Sequence, residues 1–181
     1  MSSCAAPLVV GGVVAGVGGA AYLAHSDRGV TGAASDLQIK GEIQHLWFGS
    51  KKQDVLKNLS LTVESGKALI SGALQNPEDH IEAIRLAWEA QHVKEVIDEI
   101  KVGKPQDFAD YALDTWITAQ AKNSIMWEKN VNSANYNITT INKTVYVMGI
   151  AESQNELDRV LAQVRHVKDV KNVVSYVKTK E

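Results

Sequence analysis

The residue types that enzymes use are spread along this chain without the spacing that catalysis needs. Its five histidines stand apart and form no metal-ligand pattern such as H-E-x-x-H. Ser71 lies outside any G-x-S-x-G motif, and the chain contains no phosphate-binding glycine loop. Two acidic clusters fall in the first turns of predicted helices, where the helix dipole favours acids: Glu78, Asp79 and Glu82, and Glu156 and Asp158. We therefore expect no catalytic residue, no metal and no cofactor.

The single cysteine, Cys4, has neighbours that favour a modification. It follows Ser2 and Ser3 and precedes an uncharged stretch, residues 5–24, and so resembles the end of a bacterial lipobox, whose cysteine is acylated, for example with palmitate. Because no basic segment precedes it, we expect Met1 to mark a truncated or misassigned start and the signal peptide to be incomplete. Two alternatives stay open. In the first, Cys4 is an ordinary reduced thiol. In the second, residues 5–24 form a membrane-spanning helix; their length is sufficient for one, but their many glycines disfavour a helix.

Composition narrows the class of protein further. The chain has 181 residues, 45% of them hydrophobic, and its 19 basic against 21 acidic residues give a net charge of -2. This balance argues against a nucleic-acid binder, and one cysteine excludes an intramolecular disulfide. The length suits one ordinary domain or two small ones.

An internal repeat decides between these. A shift of about 77 residues places Gly72–Ile100 on Gly149–Val177. Six apolar pairs then coincide at helical spacing, which predicts that the two copies fold around the same pattern of core residues. They are Ala83/Val160, Ile84/Leu161, Ala87/Val164, Ala90/Val167, Val93/Val170 and Val96/Val173.

Each copy reads as α-β-β-α-β. Ser35 and Asp114 are predicted to cap the first helices, whose core faces are Ile39, Ile43, Leu46 and Trp47, and Ile117, Ala121 and Ile125. Two strands follow, joined by turns at Ser65-Gly66 and near Asn142-Lys143. A second helix and a last strand complete the unit. The right-handed crossover should make that strand parallel to the one before the helix, with both helices on one face of a three-stranded mixed sheet.

The predicted organisation is an α+β fold with two tandem domains. Residues 1–34 hold the cysteine, the apolar glycine-rich segment and a flexible tether, and residues 105–112 form a linker. The domains themselves are residues 35–104 and 113–181. Two units of about 70 residues have small cores and can stabilise each other by docking.

The twin units resemble BON domains. The resemblance rests on an apolar strand ending in glycine, A-L-I-S-G at Gly72 and V-Y-V-M-G at Gly149, before an amphipathic helix and a V-x-x-V strand. Two copies behind a lipobox cysteine, with D-T-W-I-T and D-R-G-V-T-G, are similar to the dual-BON outer-membrane lipoproteins. The resemblance implies a lipid-anchored, periplasm-facing protein that binds anionic phospholipid (phosphatidylglycerol, cardiolipin) through its second domain and supports outer-membrane integrity. Ala5 after the cysteine fits export to the outer membrane.

Differences between the copies point to a surface. Trp116 aligns with Gln38, so the fold does not need the ring for packing. At about 100° per residue, one uncharged stripe of the second copy carries two tryptophans. The predicted lipid-binding residues are Thr115, Trp116, Ala119, Gln120, Asn123 and Trp127. The first copy offers Gln38, Gly41, Glu42, His45 and Gly49 on the equivalent stripe.

Charge divides the copies in the same direction. Residues 35–104 hold nine basic and eleven acidic side chains, whereas residues 113–181 hold nine and seven, so only the second copy is net positive. A charge of +2 is a weak attractor for anionic lipid on its own and gains from nearby tryptophans, which favour the headgroup boundary.

Alternatives for the tryptophans stay open. Trp116 could instead pack against the other domain or against Phe108 and Tyr111 of the linker. Trp88 aligns with Arg165 and is predicted to lie at the domain interface, with an exposed edge of its helix as the alternative. The same aromatic stripe would also serve an interaction adaptor that docks the outer-membrane assembly machinery.

Overall fold

The computed structural model describes residues 29–104 and 107–180, which form two α+β units of the same design. The first unit contains α1 (Gly29–Gly49), α2 (Gln53–Asn58), β1 (Leu59–Glu64), β2 (Lys67–Leu74), α3 (Pro77–Glu89) and β3 (Glu95–Val102). The second contains α4 (Phe108–Met126), a 3-10 turn (Ser133–Asn135), β4 (Tyr136–Ile141), β5 (Thr144–Ala151), α5 (Gln154–Arg165) and β6 (Asn172–Thr179). The predicted fold class is confirmed, and the short helix α2 is an addition that the sequence pattern did not reveal.

Each unit has a three-stranded mixed sheet with its middle strand second in the chain. The strand orders are β1-β2-β3 and β4-β5-β6. The first pair of each sheet is an antiparallel hairpin, and the second pair is parallel. The crossover through α3 or α5 therefore places the last strand as predicted.

The helices of each unit pack on one face of its sheet. Ile39, Ile43 and Trp47 of α1 are buried against the sheet and α3, and Ile117, Ala121 and Ile125 of α4 occupy the same layer in the second unit. All six apolar pairs of the repeat contribute to these two cores. The Trp47 indole donates a 3.0 Å hydrogen bond to the Ala83 carbonyl, which satisfies its buried N–H.

The start of each first helix corrects the sequence prediction. α4 begins at Phe108, within the predicted linker, and α1 begins at Gly29, within the predicted tether. Asp114 is therefore not a cap. It is buried within α4, and its carboxylate accepts hydrogen bonds from the backbone N–H groups of Asn142 and Lys143 at 2.7 and 2.8 Å.

The first unit repeats this contact one residue after the predicted cap, Ser35. The Asp36 carboxylate accepts from the N–H groups of Ser65 and Gly66, both at 2.9 Å. The two central residues of each hairpin turn have positive φ and lie beyond the last paired strand residues, so their N–H groups have no ladder partner. One buried carboxylate in each unit thus fixes the hairpin to the first helix.

The strand glycines predicted from the repeat are required by a close approach of backbone. Gly72 and Gly149 have φ of +138° and +141°. A Cβ at these positions would lie 2.1 Å from the Asn58 carbonyl oxygen and 2.0 Å from that of Asn135. Only glycine allows the segment entering β1 or β4 to cross the middle strand at this distance.

The faces of the two sheets that lack helices pack against each other. Leu69 and Ile97 of the first unit form a buried cluster with Tyr146 and Met148 of the second, flanked by Ile141, Val174 and Tyr176. The Lys67 ammonium lies 5.2 Å from the centre of the Tyr176 ring. The domain interface is therefore sheet on sheet, as in a β-sandwich.

The predicted place of Trp88 at the domain interface is wrong. Its side chain is 53% exposed on α3, and it is not part of the interdomain cluster. The helices occupy one face of each sheet and the domains dock through the other, so a helix residue at the edge of its own core does not reach the interface.

Candidate functional site

The second unit carries its exposed aromatic residues on α4. Ile117, Ala121 and Ile125 lie on the core face of this helix, so the opposite arc faces outward. Trp116 directly precedes Ile117 and is 42% exposed, while Trp127 at the helix end is 77% exposed. Both rings are accessible, although each lies within two sequence positions of a buried isoleucine.

All six residues of the predicted stripe are exposed on this arc: Thr115, Trp116, Ala119, Gln120, Asn123 and Trp127. Two local hydrogen bonds order them. The Thr115 hydroxyl donates to the Tyr111 carbonyl at 2.9 Å, and the Trp127 indole donates to the Asn123 side-chain oxygen at 3.2 Å. The structure therefore brings the predicted residues together on one surface, and their role stays a prediction.

Three exposed apolar residues extend this surface and were not predicted as part of it. Phe108, Tyr111 and Met126 are 85%, 63% and 55% exposed. The predicted linker, residues 105–112, contains the first two, but α4 begins at Phe108 and places them on its first turns. The helical spacing of Phe108, Tyr111 and Thr115 indicates the earlier helix start. The prediction misses it because it takes Asp114 as the helix cap.

The equivalent helix of the first unit presents a different surface. Gln38 is exposed where the second unit has Trp116, and the partly exposed Glu42 adds a negative charge to that stripe. Phe48 is exposed at the helix end, so the first unit is not free of apolar surface. What distinguishes α4 is a row of aromatic rings on an uncharged stripe.

A groove separates the first unit from the start of α4. This interdomain groove has a volume of about 990 Å³. Ser71 and Lys101 line it from the first sheet, Thr139 from β4, and Tyr111, Thr115 and Lys122 from α4. The groove and the aromatic surface therefore share residues of one helix.

The acids in the first turn of α5 have a structural role. Glu156 is buried, and its carboxylate accepts hydrogen bonds from the Tyr136 hydroxyl at 3.0 Å and from the Glu152 and Asn132 backbone N–H groups at 2.9 and 3.3 Å. Burial and this carboxylate together raise the pKa of Tyr136 above its ordinary value. The pair connects the helix start to β4.

Residues 29–104 and 107–180 contain no group of three or more histidine, cysteine or acidic side chains placed to hold a metal ion. Across the same residues, no helix is both long and apolar enough to cross a bilayer. Cys4 and the apolar stretch 5–24 lie outside the described residues.

Comparison with known proteins identifies the repeat. The model of the BON domain matches the chain twice, over residues 36–104 and 113–181. The chain belongs to the BON domain family. Both matched segments hold a complete hairpin, crossover helix and last strand, so the BON fold accounts for both sheets.

Several curated proteins are similar to this chain. An uncharacterized protein encoded in a gshII 5' region of Anaplasma centrale is 38% identical over 70% of this chain and 84% of its own length. The outer membrane lipoprotein DolP of Haemophilus influenzae is 23% identical over 98% of this chain and 90% of its own. The osmotically-inducible protein Y of Escherichia coli is 27% identical over 70% and 65%.

Proposed function

We propose that this protein is a non-enzymatic lipoprotein of the cell envelope, anchored to the outer membrane through Cys4 and facing the periplasm. Its second BON domain binds anionic phospholipid through α4 and thereby supports outer-membrane integrity. The similarity to an outer membrane lipoprotein over almost the whole chain supports the location. The observation that carries the lipid contact is the exposure of Trp116 and Trp127 on one uncharged stripe.

Physical chemistry supports a bilayer as the occupant of this stripe. Tryptophan has a large apolar ring with a polar N–H, and it favours the boundary between headgroups and acyl chains. The Trp127 N–H is held by Asn123, so the rest of the ring is left outward as apolar surface. The basic excess of residues 113–181 adds roughly 1 kcal/mol for each group near an anionic surface.

An acyl anchor makes a weak contact sufficient. A few side chains bind a bilayer with modest free energy on their own, but a lipid on Cys4 would hold α4 at high effective concentration near the membrane. Lipidation and α4 then act together, as two-signal membrane attachment requires.

The test uses the chain from residue 29, because every buried side chain of the three clusters lies from residue 33 onwards. We expect this protein to sediment with phosphatidylcholine vesicles that contain phosphatidylglycerol or cardiolipin. Trp116→Glu should weaken binding about tenfold or more, since a carboxylate opposes insertion at the headgroup boundary. Circular dichroism and the melting temperature should stay unchanged.

Trp88→Glu is the matched control, because Trp88 is similarly exposed on a helix of the first domain. It should bind vesicles as the unmodified chain does. Equal binding by Trp116→Glu and Trp88→Glu would contradict the site. A contrary result would be that the unmodified chain binds no vesicle of any charge, while crosslinkers on α4 capture an envelope assembly protein. That result would favour the adaptor function over lipid binding.

A further inference from the structure

The interdomain groove carries an excess of basic side chains. Lys57, Lys101, Lys104 and Lys122 line it and are exposed. Within the described residues, the last three form no ion pair. The acids on the same lining are Asp107, Asp110 and Asp114, and the Asp114 carboxylate is occupied by the hairpin N–H groups. Four lysines against three aspartates give the groove lining a charge of +1, in a chain whose net charge is -2.

The walls of the groove also supply hydroxyl donors. Ser60 and Ser71 line it from the first sheet, and Thr139 from the second domain. Ammonium and hydroxyl groups together suit the oxygens of a phosphodiester, which accept charge-assisted hydrogen bonds. The volume of about 990 Å³ lies at the upper end of the range of small-molecule sites, which is about 300–1,000 Å³.

The groove opens onto the aromatic surface of α4. At about 100° per residue, Tyr111, Thr115 and Lys122 share one side of the helix, about 100–140° around from Trp116. Phe108 also lines the groove and is 85% exposed. A ligand in the groove would meet lysines, hydroxyls and the exposed rings of Phe108 and Tyr111.

We propose that the interdomain groove binds the phosphate-bearing headgroup of the anionic phospholipid whose apolar portion lies against α4. This inference rests on the proposed function and adds a headgroup site to it. The combination of basic and aromatic groups favours an amphiphile, since inorganic phosphate would leave the rings unused. Two domains build the site, so headgroup binding requires them to be docked.

The test reverses two groove charges in the chain from residue 29. We expect Lys101→Glu/Lys122→Glu to bind phosphatidylglycerol vesicles about tenfold or more weakly and to lose most of the salt dependence of binding. Lys51→Glu/Lys94→Glu is the control, because it changes net charge equally at exposed lysines of the first domain outside the groove. It should retain most of the binding. Melting temperatures verify that both variants fold.

The outcomes separate this inference from the proposed function. If Trp116→Glu abolishes vesicle binding while Lys101→Glu/Lys122→Glu and the control bind equally, the groove site is wrong and the function stands. If the unmodified chain binds no vesicle, both are wrong.

An NMR titration with short-chain phosphatidylglycerol should shift the amides of Ser71, Lys101 and Thr139. Inorganic phosphate at the same concentration should shift them far less. Equal shifts would identify a free-phosphate site and overturn the lipid headgroup. Shifts produced by an acidic peptide and not by the lipid would do the same in favour of a protein ligand.

Discussion

At the scale of residues, one buried carboxylate in each domain holds the hairpin. Asp36 and Asp114 each accept two backbone N–H groups from a turn about 30 positions later in the chain. These N–H groups belong to the two turn residues, which lie outside the strand ladder. An ionised acceptor with two oxygens matches this paired donor better than an amide does.

We predict that Asp114→Asn lowers the free energy of unfolding by about 1–3 kcal/mol. The amide keeps the shape of the side chain but offers only one acceptor, so a buried N–H group loses its partner. Urea unfolding of the chain from residue 29 measures the effect. Asp110→Asn is the control, because Asp110 is exposed on the same helix. Equal midpoints for the two variants would show that the contact does not stabilise the fold.

The role of a residue can be predicted from the sequence where the two copies of the repeat can be compared at aligned positions. The six apolar pairs could be assigned to the core because both copies agree, and the mismatch of Gln38 with Trp116 pointed to exposure. Asp114 misled because a capping pattern is local, whereas its hydrogen bonds span 28 and 29 positions. No local rule distinguishes an aspartate that caps a helix from one that binds a distant turn.

At the scale of elements, the middle strand of each sheet must pass close to the chain entering the first strand. Gly149 allows this in the second domain, with the Asn135 carbonyl 2.0 Å from the place of a Cβ. The glycine could be found from the repeat, but the contact could not, because the 3-10 turn before β4 has no clear sequence pattern. The register of Tyr136 opposite Gly149 is known only from the folded sheet.

Gly149→Ala should destabilise the protein more than Gly103→Ala does. Both glycines have φ near +140°, but a Cβ at Gly103 would have nothing within 4 Å. Backbone strain of about 1–3 kcal/mol is common to both, and the clash at Gly149 adds to it. Thermal unfolding of the two variants measures the difference. Equal melting temperatures would mean that the backbone shifts and relieves the contact.

The bounds of α4 show how an element changes the interpretation of a site. Helix boundaries are the least certain part of a sequence-based prediction, and an assumed start at Asp114 left Phe108 and Tyr111 in a linker. The structure extends the helix to Phe108 and adds both rings to the exposed surface. Most of the tryptophan stripe was predictable because Trp116, Ala119, Gln120 and Asn123 lie in the interior of the helix.

At the scale of the whole molecule, the domain interface includes tyrosines held in their neutral form. Burial raises the pKa of Tyr146 above its ordinary value, and its hydrogen bond to Glu99 of the other domain raises it further. Burial also raises the pKa of Tyr176, with Glu95 and Glu99 adding to the effect. Because these raised values favour the protonated form, docking is fully stabilised below the ordinary tyrosine pKa of about 10 and weakens as pH rises above it.

We therefore expect the domains to separate at alkaline pH before either core unfolds. Small-angle scattering should show an increase in radius of gyration above about pH 10. Tyr146→Phe/Tyr176→Phe should shift this increase to higher pH, since neither ring then ionises. Tyr111→Phe is the control, because Tyr111 is exposed on α4. A transition at the same pH in all three proteins would rule out the interface tyrosines as its cause.

The docking could not be predicted because its residues resemble ordinary strand residues. Leu69 and Ile97 lie at apolar strand positions that would equally suit the edge of a domain core. Trp88 is a larger apolar residue at the edge of its helix, and the interface prediction therefore names it instead. Contacts between two sheet faces depend on how the whole domains are oriented, and no periodicity in one strand encodes that orientation.

The sheet-on-sheet interface joins corresponding positions of the two repeats. Leu69 aligns with Tyr146, and Ile97 with Val174, and all four lie in or beside the same cluster. Contact between equivalent surfaces is the arrangement of an isologous homodimer. Duplication and fusion of a single BON domain would convert such a dimer into one chain, in which covalent linkage replaces concentration as the source of association. Two fused copies can differ in surface residues, so one copy can carry exposed tryptophans that the other lacks.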